Sequence, residues 1–275
     1  MPAIPRRPSG FFQDHLLDPR RPGPRARLTE RLEEDGLVTL EGLERRDQVL
    51  DLARVTMRVA KHRDSDPDGL TTIRDTGRHH GRPGFAGLGS GELLPHTEGS
   101  GQADPPRLMM LALVRAADSG GACIVVDGRA VYQDLLESNP EALEALGHPR
   151  AALFGTSAGV FAPVLAMLPG GRIRLRLRQD DLVRFDPRAQ PHVLALRAAI
   201  NRHHVLLPLG TGQAYLLDNH RWLHARSAFV GPRLAYRALG EPQHGITLAA
   251  GFTVERAFTA GAAPTRQLVS GGARR

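Results

Sequence analysis

The chain has 275 residues, a formal net charge of +7 and a single cysteine, Cys123. That length suits one large domain with a real core, and the lone thiol excludes an internal disulfide and any thiolate-cage zinc site. The basic residues are almost all arginine, with Lys61 the only lysine, and they are spread along the chain, so the charge reads as a solvated surface and not as a nucleic-acid arm.

Residues 1–25 are rich in Pro and Arg and are expected to form a mobile arm. No stretch is apolar enough for a signal peptide or a membrane span, so the expectation is a cytoplasmic protein with no membrane partner. Leu28 to Glu34 suits a short helix, and Gly36 to Gly42 a strand closed by glycine. Arg46 to Lys61 carries Val49, Leu52, Ala53, Thr56 and Met57 at helical spacing. Residues 62–95, which include His79 and His80, are polar and glycine-rich. They form either a lid over a site or an ordinary surface loop, with solvated histidines.

Leu108 to Arg115 and Ala122 to Val126 are apolar runs of strand length. The intervening Gly120-Gly121 suggests that they pair as a hairpin. Tyr132 to Leu146 is helical with a break at Asn139-Pro140, and Gln190 to Asn201 is a further helix. Arg172 to Arg178 alternates arginine with Ile173, Leu175 and Leu177, as a strand with one buried and one charged face would. His204 to Leu209, Gln213 to Leu217 and Trp222 to Ser227 are short strands separated by turns. From residue 260 the chain is expected to fray, leaving 26–259 as one domain. Short strands with helices grouped outside them fit a mainly β fold, a jelly roll (double-stranded β-helix) clad by helices.

Candidate chemistry centres on His96-Thr97-Glu98 and His224, followed by Arg233 and Arg237. Residues i and i+2 of a strand share a face, so His96 and Glu98 can reach one ion. Two imidazoles and a carboxylate on one side of an iron leave its other positions open for a substrate acid and oxygen. Arginine binds such an acid by a bidentate fork. Pro95 restricts the chain before the motif, and Gly99-Ser-Gly101 lets it turn afterwards.

Leu94-Pro-His-Thr-Glu-Gly-Ser100, Pro105-Pro-Arg-Leu-Met-Met110, Ser119-Gly-Gly-Ala-Cys123 and Leu217-Asp-Asn-His-Arg-Trp-Leu-His-Ala-Arg-Ser-Ala-Phe229 together resemble the iron(II)/2-oxoglutarate-dependent oxygenases. Their order is similar to that of the taurine dioxygenase and clavaminate synthase-like superfamily, over about residues 88–237. The resemblance implies His96, Glu98 and His224 as iron(II) ligands, with Arg233 on the far carboxylate of 2-oxoglutarate and O2 as the second cosubstrate. It places Arg237 near the substrate, where it takes an acidic group; a surface ion pair is the other reading. Glu98 argues against the related halogenases, which lack the carboxylate, and resembles the amino-acid hydroxylases of the superfamily. Cys123 departs from the family: a threonine hydroxyl usually stands there and binds the cosubstrate. A thiol is a poorer donor, so either another group supplies that bond, or cosubstrate binding is weaker; Cys123 is equally read as a small core residue.

Asp180 and Asp181 either hold a cationic substrate, as acidic residues do in some relatives, or make a turn. Trp222 lies beside the pocket or in the core. His203 and His204 are read as structural. Asp218 and Asn219 make the turn that aims His224, and either can be its hydrogen-bond partner. The expected function is hydroxylation of an unactivated C–H bond in a small molecule, a free amino acid or related metabolite. Desaturation, cyclisation and a non-catalytic jelly-roll binding protein stand as alternatives.

Overall fold

The computed structural model describes residues 10–18, 23–78, 81–156 and 158–254. In chain order come α1 (Phe11–Asp14), α2 (Pro24–Glu34), β1 (Leu37–Leu40) and α3 (Arg46–Thr56). Then follow β2 (Met57–Val59), β3 (Thr71–Ile73), β4 (Leu93–His96), β5 (Leu108–Arg115) and β6 (Cys123–Asp127). Three helices come next, α4 (Gly128–Ser138), α5 (Pro140–Gly147) and α6 (Val193–Arg202). The last main strands are β7 (Val205–Leu207), β8 (Gln213–Asp218), β9 (Trp222–Arg226) and β10 (Leu234–Pro242).

Local chemistry sets the helix ends. Pro24 opens α2 behind Gly23 in the left-handed region. The Asp127 side chain accepts from Arg129 N at the start of α4, and Asn139 caps α5 with Pro140 at its first position. Val49, Ala53 and Thr56 bury one face of α3. That helix stops at Thr56, because Met57 turns to extended backbone and pairs with Pro242 of β10.

Two antiparallel sheets face each other. The first runs β1-β8-β5-β10-β2, with β3 also on β10; the second runs β7-β6-β9-β4. Met109, Leu111 and Leu113 of β5 meet Cys123 and Val125 of β6 in the core between them. The alternate residues Leu108, Met110 and Ala112 pack outward on Leu28, Leu32, Val49 and Ala53 of α2 and α3. Val126 and Leu223 face the other way, onto α4 to α6. The period of two thus builds a jelly roll with helices on both outer faces.

Several expectations change. The strands 108–115 and 122–126 do not pair with each other. β5 lies between β8 and β10, and β6 between β7 and β9. Gly120 and Gly121, both at positive φ, carry the chain from one sheet to the other, and a Cβ at Gly120 would collide with Ala228 O. The Arg face of 172–178 is not a solvent face: Arg176 is buried and donates to the carbonyls of Ser100, Gln102 and Ala103. Within the expected arm, Phe12 and Leu17 are buried and Thr39 Oγ1 donates to Phe12 O, so residues 10–18 are anchored on β1. The frayed tail expected from residue 260, and His79 and His80, lie outside the described residues. No helix among the described residues is long and apolar enough to cross a membrane.

Candidate metal centre

The site grows from the edge strand β4. Pro95 is tolerated there because an edge strand can lack a donor. The pairing with β9 sets His96 opposite His224 and slips just after it, where Arg226 meets Leu93. The strand ends at His96, and Glu98 sits in the turn that follows. Thr97 holds this turn by exchanging hydrogen bonds with the Leu177 backbone, and Gln179 Nε2 donates to Pro95 O at 2.8 Å.

The two imidazole rings lie 4.2 Å apart between centroids. His224 Nε2 is 3.4 Å from Glu98 Oε1. One ligand atom from each of His96, Glu98 and His224 can be chosen with all three within 4.8 Å of one another. His96 Nδ1 faces Leu94 O at 2.8 Å, which directs Nε2 to the shared space. Burial, and then the charge of His224, pushes the His96 imidazole down to about 4, so it is neutral at ordinary pH with a lone pair to give. Burial alone would raise the Glu98 carboxyl, but Arg237 and then the two histidines hold it well below the usual range. Two imidazoles and one carboxylate, with a cavity on their open side, fit a divalent iron of the open facial type.

Asn219 makes the framework rigid. It is fully buried, accepts from Glu98 N at 2.7 Å, and donates to Glu98 O at 3.0 Å and Pro106 O at 2.8 Å. Asp218 is gripped by Arg107, with Nε and Nη2 at 2.8 and 3.1 Å. Neither residue bonds the His224 ring, whose Nδ1 has no partner among the described residues. The turn therefore fixes the Glu98 backbone rather than the histidine.

The cavity is about 460 Å³. Cys123, Arg233 and Arg237 line it with the three ligands, and so does Asp180. Arg233 is buried, with Nη2 3.9 Å from Cys123 Sγ and Nε unpaired among the described residues. A Cβ at Gly121 would touch its stem at 3.3 Å, so that glycine leaves the arginine its path. Arg237 Nη1 donates to Glu98 Oε1 at 2.6 Å, so this arginine positions the ligand carboxylate as well as facing the cavity. It is not a surface ion pair: the side chain is 12% exposed.

Two candidates fall away. Trp222 does not line the cavity; its Nε1 donates to Asp35 O at 2.8 Å and its ring meets Phe11 edge-on. It fastens the N-terminal segment to the core. Asp181 is exposed and lies outside the cavity, whereas Asp180 lines it in a bidentate pair with Arg178 at 2.6 Å. His203 pairs with Asp134 at 2.9 Å, as a structural residue should. The loop 62–95 contributes His62, Arg63, Asp64, Phe85 and Leu88 to the cavity wall. Tyr215 and Arg226 also line it and were not anticipated. The run 214–217 is apolar throughout, so only the strand's period of two, which sets Tyr215 with Leu217 on the inner face, marks it.

The fold is a jelly roll, and at its centre lies a His–Glu–His cluster of the kind that can hold one metal ion. A family model described as taurine catabolism dioxygenase TauD, TfdA family, matches residues 5–239, and the chain belongs to that family. A trimethyllysine dioxygenase from Meyerozyma guilliermondii is 26% identical over 162 residues, 52% of this chain and 40% of the relative. The match thus spans under half the length of that relative. Among solved structures, a variant of the non-heme iron oxygenase OrfP in complex with (3S)-hydroxy-L-Arg has a TM-score of 0.64 at 17% identity, covering 81% of each chain. An asparagine oxygenase in complex with Fe(II), 2S,3S-3-hydroxyasparagine and succinate has a TM-score of 0.61 at 17% identity, covering 85% of this chain and 79% of that one. PvcB from Pseudomonas aeruginosa has a TM-score of 0.61 at 20% identity, covering 82% and 84%. At these identities the structural likeness concerns the fold.

Proposed function

We propose that this protein is an iron(II)- and 2-oxoglutarate-dependent dioxygenase that hydroxylates an unactivated C–H bond of a free amino acid or a related small metabolite. The observation that carries this reading is the His96–Glu98–His224 cluster at one end of a cavity that also holds Arg233, a buried cation with no carboxylate partner among the described residues. Membership of the TauD/TfdA family supports it, as does the fold shared with OrfP in complex with Fe and alpha-ketoglutaric acid. When bound, the metal supplies the oxidation of the 2-oxo acid by O2 and of the C–H bond.

The chain supplies position. His96, Glu98 and His224 would hold the metal, with Asn219 fixing the Glu98 backbone and Arg237 its carboxylate. Arg233 binds the far carboxylate of the cosubstrate. Met109 and Leu111 give the cavity an apolar wall that excludes water. Towards the substrate, Arg237 suits a carboxylate, and Asp180, held by Arg178, faces the same cavity. The OrfP and asparagine oxygenase neighbours carry hydroxylated amino acids, which supports the same class.

The test is a library of free amino acids offered with iron(II), 2-oxoglutarate and O2. A product heavier by one oxygen atom, formed with succinate, is expected. Succinate formation that no amino acid stimulates would move the substrate to another class. Product lighter by two hydrogens would assign desaturation or cyclisation instead.

A further inference from the structure

We propose that the phenol of Tyr215, and not the thiol of Cys123, donates the hydroxyl hydrogen bond to the far carboxylate of 2-oxoglutarate, completing with Arg233 the clamp on that group. The inference rests on the oxygenase reading of this pocket.

A carboxylate in a dry pocket needs donors for its lone pairs as well as a countercharge. Arg233 supplies the charge and part of the donors. Its hydrogen-bond partner among the described side chains is the Cys123 sulfur, 3.9 Å from Nη2. Burial raises the Cys123 thiol, so it stays neutral, and as a donor it is weak. Arg226 adds charge but not a free fork. It is buried, and its Nη2 is committed to the carbonyls of Gly89 and Gly91. Two buried guanidiniums near one thiol make a place for an anion that lacks one good neutral donor.

Tyr215 meets that need by its place in the sheet. β8 and β10 pair on either side of β5, and both Tyr215 and Arg237 stand in register with Leu111. Residues in one row of a sheet point to the same face, so Tyr215 faces the cavity with Arg237. Neighbouring strands are about 4.8 Å apart, which sets the two residues roughly 10 Å apart along the row. Tyr215 is therefore displaced sideways from the metal ligand that Arg237 holds. It lines the same cavity as Cys123 and Arg233 and is 1% exposed. Its phenol forms no hydrogen bond among the described residues. Buried hydroxyls normally find a partner, and a ligand is the partner this one faces. Burial, reinforced by Cys123 and opposed by Arg233, raises the phenol well above its ordinary range, so it keeps the proton that it would donate.

The experiment is anaerobic calorimetric titration of the iron(II)-loaded protein with 2-oxoglutarate, without primary substrate. Tyr215→Phe removes only the hydroxyl and should weaken binding by about tenfold or more, the effect of one hydrogen bond to a charged acceptor. Cys123→Ala should stay within about threefold of wild type. 2-Oxopentanoate, which keeps the 2-oxo acid and lacks the far carboxylate, should bind wild type and Tyr215→Phe alike. If Tyr215→Phe binds 2-oxoglutarate as wild type does, the proposal is wrong. It is equally wrong if the variant loses 2-oxopentanoate to the same degree, because Tyr215 then only shapes the pocket. Weakening confined to Cys123→Ala would return the bond to the thiol. Failure of the wild type itself to bind 2-oxoglutarate overturns the oxygenase reading, a result separate from all of these.

Discussion

Replacing Asn219 by alanine removes the clamp on which Glu98, the proposed metal ligand, depends. The side chain makes three buried hydrogen bonds, one accepted from Glu98 N and two donated to Glu98 O and Pro106 O. With Asn219 wholly buried, no bulk water replaces them. A buried polar group left unpaired costs about 1–3 kcal/mol, so three of them give about 3 kcal/mol even at the low end. In a chain of this size each kcal/mol lowers Tm by about 2–4 °C, which predicts a fall of roughly 6–12 °C in the metal-free protein. The same change frees Glu98, and losing such a support should weaken metal binding by about 10–100-fold. Asn219→Asp keeps the acceptor for Glu98 N but not the two donors, and should fall between. Scanning fluorimetry gives Tm, and anaerobic titration with iron(II) gives the affinity. If Asn219→Ala matched wild type in both, the clamp would be a geometric coincidence.

Other consequences follow from the same geometry. His224→Ala should lose bound iron and all turnover; iron content equal to wild type would remove His224 from the ligand set. Arg233→Lys keeps the charge and loses the planar fork, so KM for 2-oxoglutarate should rise by about tenfold or more while the fold is kept; an unchanged KM would make Arg233 structural. Buried His220, with Nε2 facing Pro105 O and Nδ1 unpaired among the described residues, is pushed from 6.5 down to about 3 by burial and then by Arg107. Between those values the unfolded chain binds the extra proton, so stability present above pH 6.5 is lost as pH falls toward 3. The slope approaches about 1.4 kcal/mol per pH unit for this one group. His220→Gln should flatten urea-unfolding stability between pH 7 and pH 5, and an identical pH dependence in the variant would refute the assignment.

Much of the fold was legible because its elements are local. The break at Asn139-Pro140 announces the helices beside it, and the apolar runs 108–115 and 122–126 announce strands, which the fold buries on both faces. Partnership was not legible. The Gly120-Gly121 pair looks like a hairpin, but strand pairing is decided by which apolar faces meet across the core, and here they belong to opposite sheets. Thr71–Ile73 is too short to stand out from a polar loop, and gains its strand geometry from β10. Arg176 reads as a solvent residue because arginine is usually one; three loop carbonyls make it a core residue.

His96, Glu98 and His224 were singled out as candidate ligands through spacing and family resemblance together, and the structure brings all three into one cluster. Arg233, Arg237, Cys123 and Asp180 also reach the cavity. For Trp222 the core alternative holds: nearness in sequence to His224 does not place it at the cavity when its ring packs against the N-terminal segment. Asp218 or Asn219 was expected to serve His224. Asn219 serves Glu98, far away in sequence, which only the tertiary fold brings near.

The central claim is that one iron held by His96, Glu98 and His224 couples O2 and 2-oxoglutarate. It is tested most directly by measuring succinate formed per 2-oxoglutarate consumed, with iron(II) present and withheld, in wild type and His96→Ala. The account predicts equal amounts of succinate and consumed 2-oxoglutarate in the iron-loaded wild type. It predicts none without iron and none in the variant. Succinate formed at the wild-type rate by His96→Ala, or no consumption of 2-oxoglutarate by the iron-loaded wild type across the amino-acid library, would contradict it.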